Sequence, residues 1–211
     1  QKQALLQLFD NSLQSKNIYN GSGYALDFDK EIRNYLEQPQ FLDEIIPDML
    51  HKSFKLVKED IFLKQTARPH IYSLIYSILD VRNFRFCLKF FENHVTLLQP
   101  LIEFVQFAQT AEFKIEDLKS FQSIDITLLQ SHLQFRLQFV LLTHLSLLVL
   151  LPFNIDDFDE NVSQKIVDLV YVYKSMNNKL TQMANEVLAR FLTRQDQKEL
   201  LSQQISFINQ Q

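Results

Sequence analysis

Glycine is scarce in this sequence. There are only two, Gly21 and Gly23, and both fall in one short segment. Sheet-rich folds need glycine at their turns, and nucleotide-binding loops need it where backbone approaches phosphate. The scarcity argues against both and favours helices joined by short polar corners.

Cysteine is nearly absent too. The single Cys87 cannot form an internal disulfide, which suits a reducing cytosol. It falls between Phe84 and Phe91 on a predicted apolar face, so we expect a buried structural thiol. Without further cysteines, or a His-Glu-x-x-His or phosphate-loop motif, the sequence indicates no metal, no cofactor and no enzyme.

Long runs of basic residues and long runs of apolar residues are also missing. The net charge is −4 and there is no long basic run, so nothing indicates a nucleic-acid partner. The apolar run at 137–151 is shorter than the roughly 20 residues that a membrane helix needs, and it includes Gln138, Thr143, His144 and Ser146. We therefore predict no membrane span, and a core role for His144.

Apolar residues are abundant, at 46% of the chain, and they recur with a period near 3.6, which predicts helices. The predicted helices are 3–15, 29–37, 40–60, 69–79, 82–92, 94–109, 132–151, 162–175, 178–192 and 196–209. Two stretches read as long loops, 16–28 and 110–131, the second with a short helix near 115–121. We expect 132–151, which contains Leu142, Leu145 and Val149, to be the most buried helix, and Arg136 within it to need a carboxylate or carbonyl partner.

Short amphipathic helices in series predict an all-α, HEAT/armadillo-like helical solenoid, a right-handed superhelix of antiparallel helix pairs. The length of 211 residues fits a single helical-repeat domain over 1–211. The best repeat is 69–92, in which Asp80 would cap the helix that Val81 and Arg82 begin. A plain helical bundle stays open, since no strict repeat period is present.

Five segments share the order and pattern of a known family. They are YLEQPQFLD at 35–43, YSILDVRN at 76–83, FFENHV at 90–95, LPFN at 151–154 and FLTRQD at 191–196. Together they resemble tubulin-folding cofactor D, the family of large helical-repeat tubulin-specific chaperones. The sequence departs from the family pattern at Asn83, His144 and Gln195, where the family tends to have glycine, tryptophan and proline.

The resemblance implies a function that composition does not show. The chain would be the N-terminal part of a longer, non-enzymatic chaperone that captures β-tubulin and helps to assemble or disassemble the αβ-tubulin heterodimer after the chaperonin. Its partners would be β-tubulin, the other tubulin-folding cofactors and an Arf-like small GTPase, in the cytoplasm and at the cytoskeleton. GTP hydrolysis would belong to tubulin and to the GTPase.

Two groups of charged residues are candidate partner contacts. Arg82, Arg85 and Lys89 have the spacing of one helix face, and they indicate either a solvated outer face or a contact for an acidic partner such as tubulin. Arg190, Arg194 and Lys198 cluster around the last corner and have the same two readings. The acidic loop with Asp156, Asp157 and Asp159 is a further candidate contact, or a solvated loop that places carboxylates before the helix at 162. The acidic loop lacks the glycine and the oxygen spacing of a calcium loop. Thr193 to Asp196 has the spacing of a weak capping box.

Two other functional classes stay open from the residues alone. One is a generic HEAT-type adaptor for trafficking or nuclear transport, which would recover transport factors and no tubulin. The other is a helical enzyme with a cleft near the acidic loop, which would require perturbed carboxylates that converge on a pocket.

Overall fold

The computed structural model describes residues 2–63, 68–110, 126–157, 161–174, 176 and 178–202. Within these ranges every regular element is helical and there is no strand, so the all-α prediction is confirmed. The α-helices are α1 Lys2–Gln14, α2 Ile18–Ile32, α3 Ile46–Leu63, α4 Pro69–Arg82, α5 Phe84–Cys87, α6 Leu98–Thr110, α7 Ile126–Leu148, α8 Val162–Tyr171 and α9 Lys179–Leu192. Single turns of 3-10 helix stand at several corners, among them Pro39–Leu42 and Gln195–Gln197.

The chain forms two compact units. Unit 1 consists of Gln1–Glu92 and Phe107–Val140, and unit 2 of Asn93–Gln106 and Leu141–Gln211. In unit 1, α2 packs against α1 and α4, and α4 also contacts α3. In unit 2, α8 packs against α9, whose first turn is capped by the side-chain oxygen of Asn178.

The centre of unit 1 is α4. Every residue of α4 except Asp80 and Arg82 is buried, because α1, α2 and α3 all contact this helix. The expectation that 132–151 would be the most buried helix is therefore wrong, although Leu142, Leu145 and Val149 are fully buried. Small and polar residues such as Ser73 and Ser77 are buried in α4, which lowers its apparent hydrophobicity in the sequence.

The prediction of a loop over 16–28 is wrong, because α2 covers most of that segment. Gly21 and Gly23 lie inside the helix, and Ala25, Phe28 and Ile32 are buried at helical spacing. Asp29, considered in the sequence as the start of a helix, lies in the last turns of α2. Burial of that face outweighs the low helix propensity of glycine.

The predicted helix 40–60 begins later than expected. Pro47 is the second residue of α3, where proline is tolerated because the first turn has no backbone hydrogen bond to lose. The residues before it form a 3-10 turn, Pro39–Leu42. Phe41, which lies at the start of the apolar stripe that predicted the helix 40–60, is 53% exposed.

The predicted helix 82–92 is interrupted at its start. α4 continues through Arg82, so Asp80 lies inside a helix and does not cap one. Asn83 has a φ of 80°, the region that favours glycine, and its side chain accepts a hydrogen bond from Arg85 N at 3.0 Å. Asn83 is one of the positions where the sequence departs from the pattern of the family that it resembles, which tends to have glycine, the residue that such a backbone favours.

The prediction of a loop over 110–131 is wrong at both of the ends that the structure describes. Helix α6 continues to Thr110, and α7 already begins at Ile126. The short helix expected near 115–121 lies outside the described residues. The helix expected over 196–209 is present at 198–202 after the turn Gln195–Gln197, and the remainder lies outside the described residues.

One glycine sets how closely α2 approaches α4. A Cβ atom added at Gly21 would lie 2.8 Å from both Cγ and Cδ2 of His70, whereas one added at Gly23 would meet nothing within 4 Å. The ring of His70 is buried, so it has little room to move aside. Gly21 is required for close packing, and Gly23 is not.

We expect Gly21→Ala to lower the free energy of unfolding by about 1–3 kcal/mol, because the added methyl group overpacks the α2–α4 contact. Gly23→Ala is the matched control on the same helix. It should raise stability by roughly 0.5–1 kcal/mol, since alanine is the better helix former and the position is open. Urea denaturation of both variants measures the difference; two effects of the same sign would contradict this role for Gly21.

Candidate partner-binding surface

Cations stacked on aromatic rings cover the outside of unit 1 at the α4–α5 corner. The guanidinium carbon of Arg82 lies 3.8 Å from the centroid of the Phe86 ring, and Lys89 Nζ lies 4.0 Å from the same centroid. Lys89 Nζ is also 4.9 Å from the centroid of Phe90. We call Arg82, Arg85, Phe86 and Lys89 the basic surface.

Arg82 is further held by a carboxylate. Its Nε and Nη2 donate to the two oxygens of Asp43 at 2.6 and 3.0 Å, a two-point contact between the α4 end and the segment that follows the 39–42 turn. This hydrogen bond from Arg82 holds the pKa of Asp43 below its usual value. Arg82 therefore has a structural role.

The sequence assigned Arg82, Arg85 and Lys89 to one face of one helix, and this is wrong, because Asn83 separates α4 from α5. Phe86 brings the ends of Arg82 and Lys89 together instead. Arg85 and Lys89 are exposed, whereas Arg82 is half-buried. A binding partner would therefore contact the side chains of Arg85 and Lys89 more readily than that of Arg82.

Apolar side chains are exposed on the segment that leads to Asp43. Phe41 is 53% exposed and precedes by two residues the Asp43 that pairs with Arg82. Leu36, just before the Pro39 turn, is 50% exposed. Uncovered hydrophobic side chains of this kind are found at protein contacts.

In unit 2, Arg194 ties together the two sequence blocks LPFN and FLTRQD. Its Nη1 donates to the carbonyls of Val149 and Leu151, each at 2.7 Å, and its Nη2 donates to the carbonyl of Phe153. Asp196 accepts from Arg194 Nε at 2.9 Å and from Nη2 at 2.8 Å. We call this arrangement the Arg194 corner.

Asp196 completes the corner. Its carboxylate also accepts from the backbone N–H of Ile155 at 3.3 Å. Burial alone would raise the pKa of Asp196, but the hydrogen bonds from Arg194 and Ile155 outweigh it, so the pKa lies below its usual value. The predicted capping box is wrong, because the Thr193 hydroxyl donates back to Arg190 O and the Asp196 carboxylate faces Arg194.

The other candidate residues of unit 2 are partly engaged within the unit. Arg190 Nε donates to Glu186 at 2.9 Å and its Nη1 to Ser146 O at 3.2 Å. Asp157 accepts from Asn154 Nδ2 at 3.0 Å in the turn Ile155–Asp157. Asp159 and the side chain of Asp156 lie outside the described residues.

Burial shifts the pKa of two side chains strongly. Cys87 is fully buried, as expected, and burial raises the pKa of its thiol to about 12. Burial, with a smaller effect from Arg68, lowers the pKa of His70 to about 4. Among the residues that the structure describes, no three His, Cys, Asp or Glu side chains lie together as metal ligands, and no helix is long and apolar enough to cross a membrane.

Comparison with known families matches residues 32–211 to the family described as tubulin-specific chaperone D-like, ARM repeat. The chain belongs to this family. The match covers most of the sequence, including all five segments on which the resemblance rests. No solved structure matches the chain.

Membership of the tubulin-specific chaperone D-like family confirms the resemblance and the helical-repeat architecture expected from the sequence. The Arg194 corner gives two of the family-like segments a physical role, because LPFN supplies carbonyls that FLTRQD binds. Arg194 is therefore better explained as an internal clamp than as a partner contact.

Sequence reasoning required a partner for Arg136 and could not say which. The structure supplies Asp29, whose Oδ2 lies 3.3 Å from Arg136 Nη2, so the prediction is confirmed. Sequence reasoning also missed Phe86 as the ring beneath two cations. The signal available in the sequence was that Phe86 follows Arg82 by four residues and precedes Lys89 by three. A phenylalanine at this spacing is equally expected in the core.

Proposed function

We propose that this chain is the tubulin-recognising part of a tubulin-specific chaperone, and that it captures β-tubulin. The observation that carries the proposal is the family match over 32–211. An all-α repeat protein acts by presenting side chains on a series of helices, and such a scaffold suits binding of a folded partner. The exposed cations of unit 1 add charge complementarity to a partner as acidic as tubulin.

The proposal includes the wider machinery that the family resemblance implies. The chain would act without catalysis of its own, together with the other tubulin-folding cofactors and an Arf-like small GTPase, to assemble or disassemble the αβ-tubulin heterodimer. The place of action would be the cytoplasm and the cytoskeleton.

Size-exclusion chromatography of the 211-residue chain tests the proposal. The chain is mixed with αβ-tubulin, with β-tubulin released from the chaperonin, or with the GTPase loaded with GDP or GTP. We expect the chain to shift into a complex with tubulin, and not with an unrelated acidic protein of similar net charge. Absence of any tubulin complex, with recovery of vesicle-coat or transport factors in a pull-down, would support the adaptor alternative instead.

A further inference from the structure

We infer that the basic surface binds an acidic peptide segment of the captured protein, through Arg85 and Lys89 supported by Phe86. The inference rests on the proposed function for the source of that segment, but its chemistry comes from the surface itself. The ligand would be an extended stretch with several carboxylates and at least one apolar side chain.

Charge is the first argument. The whole chain carries a net charge of −4, so an acidic peptide has no general attraction to it. The basic surface differs locally, because Arg82, Arg85 and Lys89 lie at one corner, where Asp43 pairs with Arg82 and is also within the field of Lys89. Arg85 and Lys89 are exposed and can donate to a carboxylate.

Preorganisation is the second argument. Long cationic side chains lose rotamer freedom when they bind, which weakens most surface ion pairs. Lys89 is already placed over Phe86 and Phe90, and the Phe86 ring is shared with Arg82, which Asp43 fixes in turn. Arg85 lies 5.7 Å from the centroid of Phe84. Side chains that are placed before binding lose less entropy on binding.

The apolar neighbours are the third argument. Phe41 and Leu36 are each about half exposed on the segment that contacts Arg82 through Asp43. A nucleic acid would bind mainly through the charge of its phosphates, and proteins that bind nucleic acids neutralise several phosphates. Two exposed cations are few for that purpose. Exposed cations, together with exposed apolar side chains on the segment that is joined to Arg82 through Asp43, fit a peptide with mixed acidic and apolar residues better.

Fluorescence anisotropy with a labelled ten-residue glutamate peptide containing one central phenylalanine tests the inference. A peptide with glutamine in place of glutamate is the neutral probe, and single-stranded RNA is the competing polyanion. We expect binding of the acidic peptide only, with a loss of affinity when the salt concentration is raised about fourfold. Tighter binding of RNA than of the acidic peptide would overturn the inference.

Arg85→Glu with Lys89→Glu is the decisive variant. Arg82 stays unchanged because it holds Asp43. We expect about tenfold weaker peptide binding or more, mainly through a slower association rate. Lys16→Glu with Lys55→Glu is the matched control, since both lysines are exposed in unit 1 and the change of charge is equal. Equal loss in the control would overturn the inference, because the effect would then be one of net charge.

Phe86→Leu leaves every charge in place and removes the ring beneath Arg82 and Lys89. It should weaken peptide binding about threefold, which a purely electrostatic surface would not show. Circular dichroism and urea denaturation show whether each variant is folded, and the variant Arg85→Ala with Lys89→Ala replaces the reversal if that one is not. Unchanged affinity in a folded variant overturns the inference.

Tubulin binding by the same variants separates this inference from the proposed function. If the control and the wild type bind tubulin and the reversed variant binds it equally well, the surface is not the contact and the function stands. If none binds tubulin but the acidic peptide still depends on Arg85 and Lys89, the surface stands and the function falls.

Discussion

Replacing Asp29 by alanine is expected to lower the free energy of unfolding by about 3–5 kcal/mol. Arg136 is only 2% exposed, and the loss of Asp29 would remove the carboxylate that pairs with its buried charge among the described residues. Asp29 also accepts from Ser77 Oγ at 2.6 Å and from Arg33 Nε at 3.2 Å. Urea denaturation at neutral pH measures the loss.

The pKa of Asp29 supports this expectation. Burial alone would raise it, but the hydrogen bond from Ser77 and the charge of Arg136 outweigh burial, so the pKa lies below its usual 3.8. A carboxyl whose pKa falls on folding stabilises the folded state above its unfolded pKa, and that contribution is lost as pH falls through the folded value. The loss caused by Asp29→Ala should therefore be full at neutral pH and shrink in acid.

Asp27→Ala is the matched control for Asp29→Ala. Asp27 lies on the same helix and pairs with Lys30, and both side chains are largely exposed, so the change should be within about 0.5 kcal/mol. The double variant Asp29→Leu with Arg136→Met should recover most of the stability, since it removes both buried charges. A double variant as unstable as Asp29→Ala alone would show that the packing of this site, and not the unpaired charge, sets the loss.

Arg194→Ala is expected to lower the free energy of unfolding by about 2–4 kcal/mol, since it removes charge-assisted hydrogen bonds to three carbonyls and one carboxylate. The side chain is only 10% exposed, so water cannot replace all of these bonds. Thermal or urea unfolding, followed with a probe placed in unit 2, measures the effect.

Arg194→Lys distinguishes geometry from charge in the same corner. Lysine keeps the charge but lacks the planar fork that reaches several acceptors at once, so it should restore less than half of the loss. Lys198→Ala is the control, because Lys198 is exposed a few residues later, and its change should be within about 0.5 kcal/mol. Full rescue by lysine would mean that the carbonyl contacts of Arg194 add little.

Apolar periodicity predicted most of the helices because burial of one helix face leaves a direct trace in the sequence. In the predicted helix 40–60, Met49, Leu50, Phe54 and Val57 lie on the apolar stripe, and all four are buried. The same signal was present in α2, where Gly21, Ala25, Phe28 and Ile32 lie at helical spacing. Asparagine, serine and two glycines at the start of α2 concealed it, because they are also the residues of loops.

Breaks between helices were harder to predict, since they depend on single residues. Pro47 marks the first turn of α3, a signal that the apolar stripe from Phe41 onward obscured. Asn83 ends α4 because its φ is positive, a backbone conformation that most residue types avoid. An asparagine in the sequence does not by itself predict a positive φ. Such local features decide the boundaries of helices but hardly alter their periodicity.

The candidate surface was predicted in part. Arg85 and Lys89 were found as charged residues, but the sharing of Phe86 and the clamp from Asp43 depend on side-chain positions that the sequence does not contain. The sequence singled out both halves of the Arg194 corner without showing that they touch. Contacts between residues about forty positions apart require the fold itself.

The pairing of Asp29 with Arg136 has a consequence for the order of folding. Unit 1 consists of residues 1–92 together with 107–140, so the ribosome delivers its last part only after the first residues of unit 2. During synthesis Asp29 on α2 is made before Arg136 on α7, so the ion pair between them forms late. Until then the surface of α4 that contacts Arg136 is not covered. A nascent chain that ends before α7 therefore exposes apolar surface of α4, such as the ring of Tyr76, that only later segments cover.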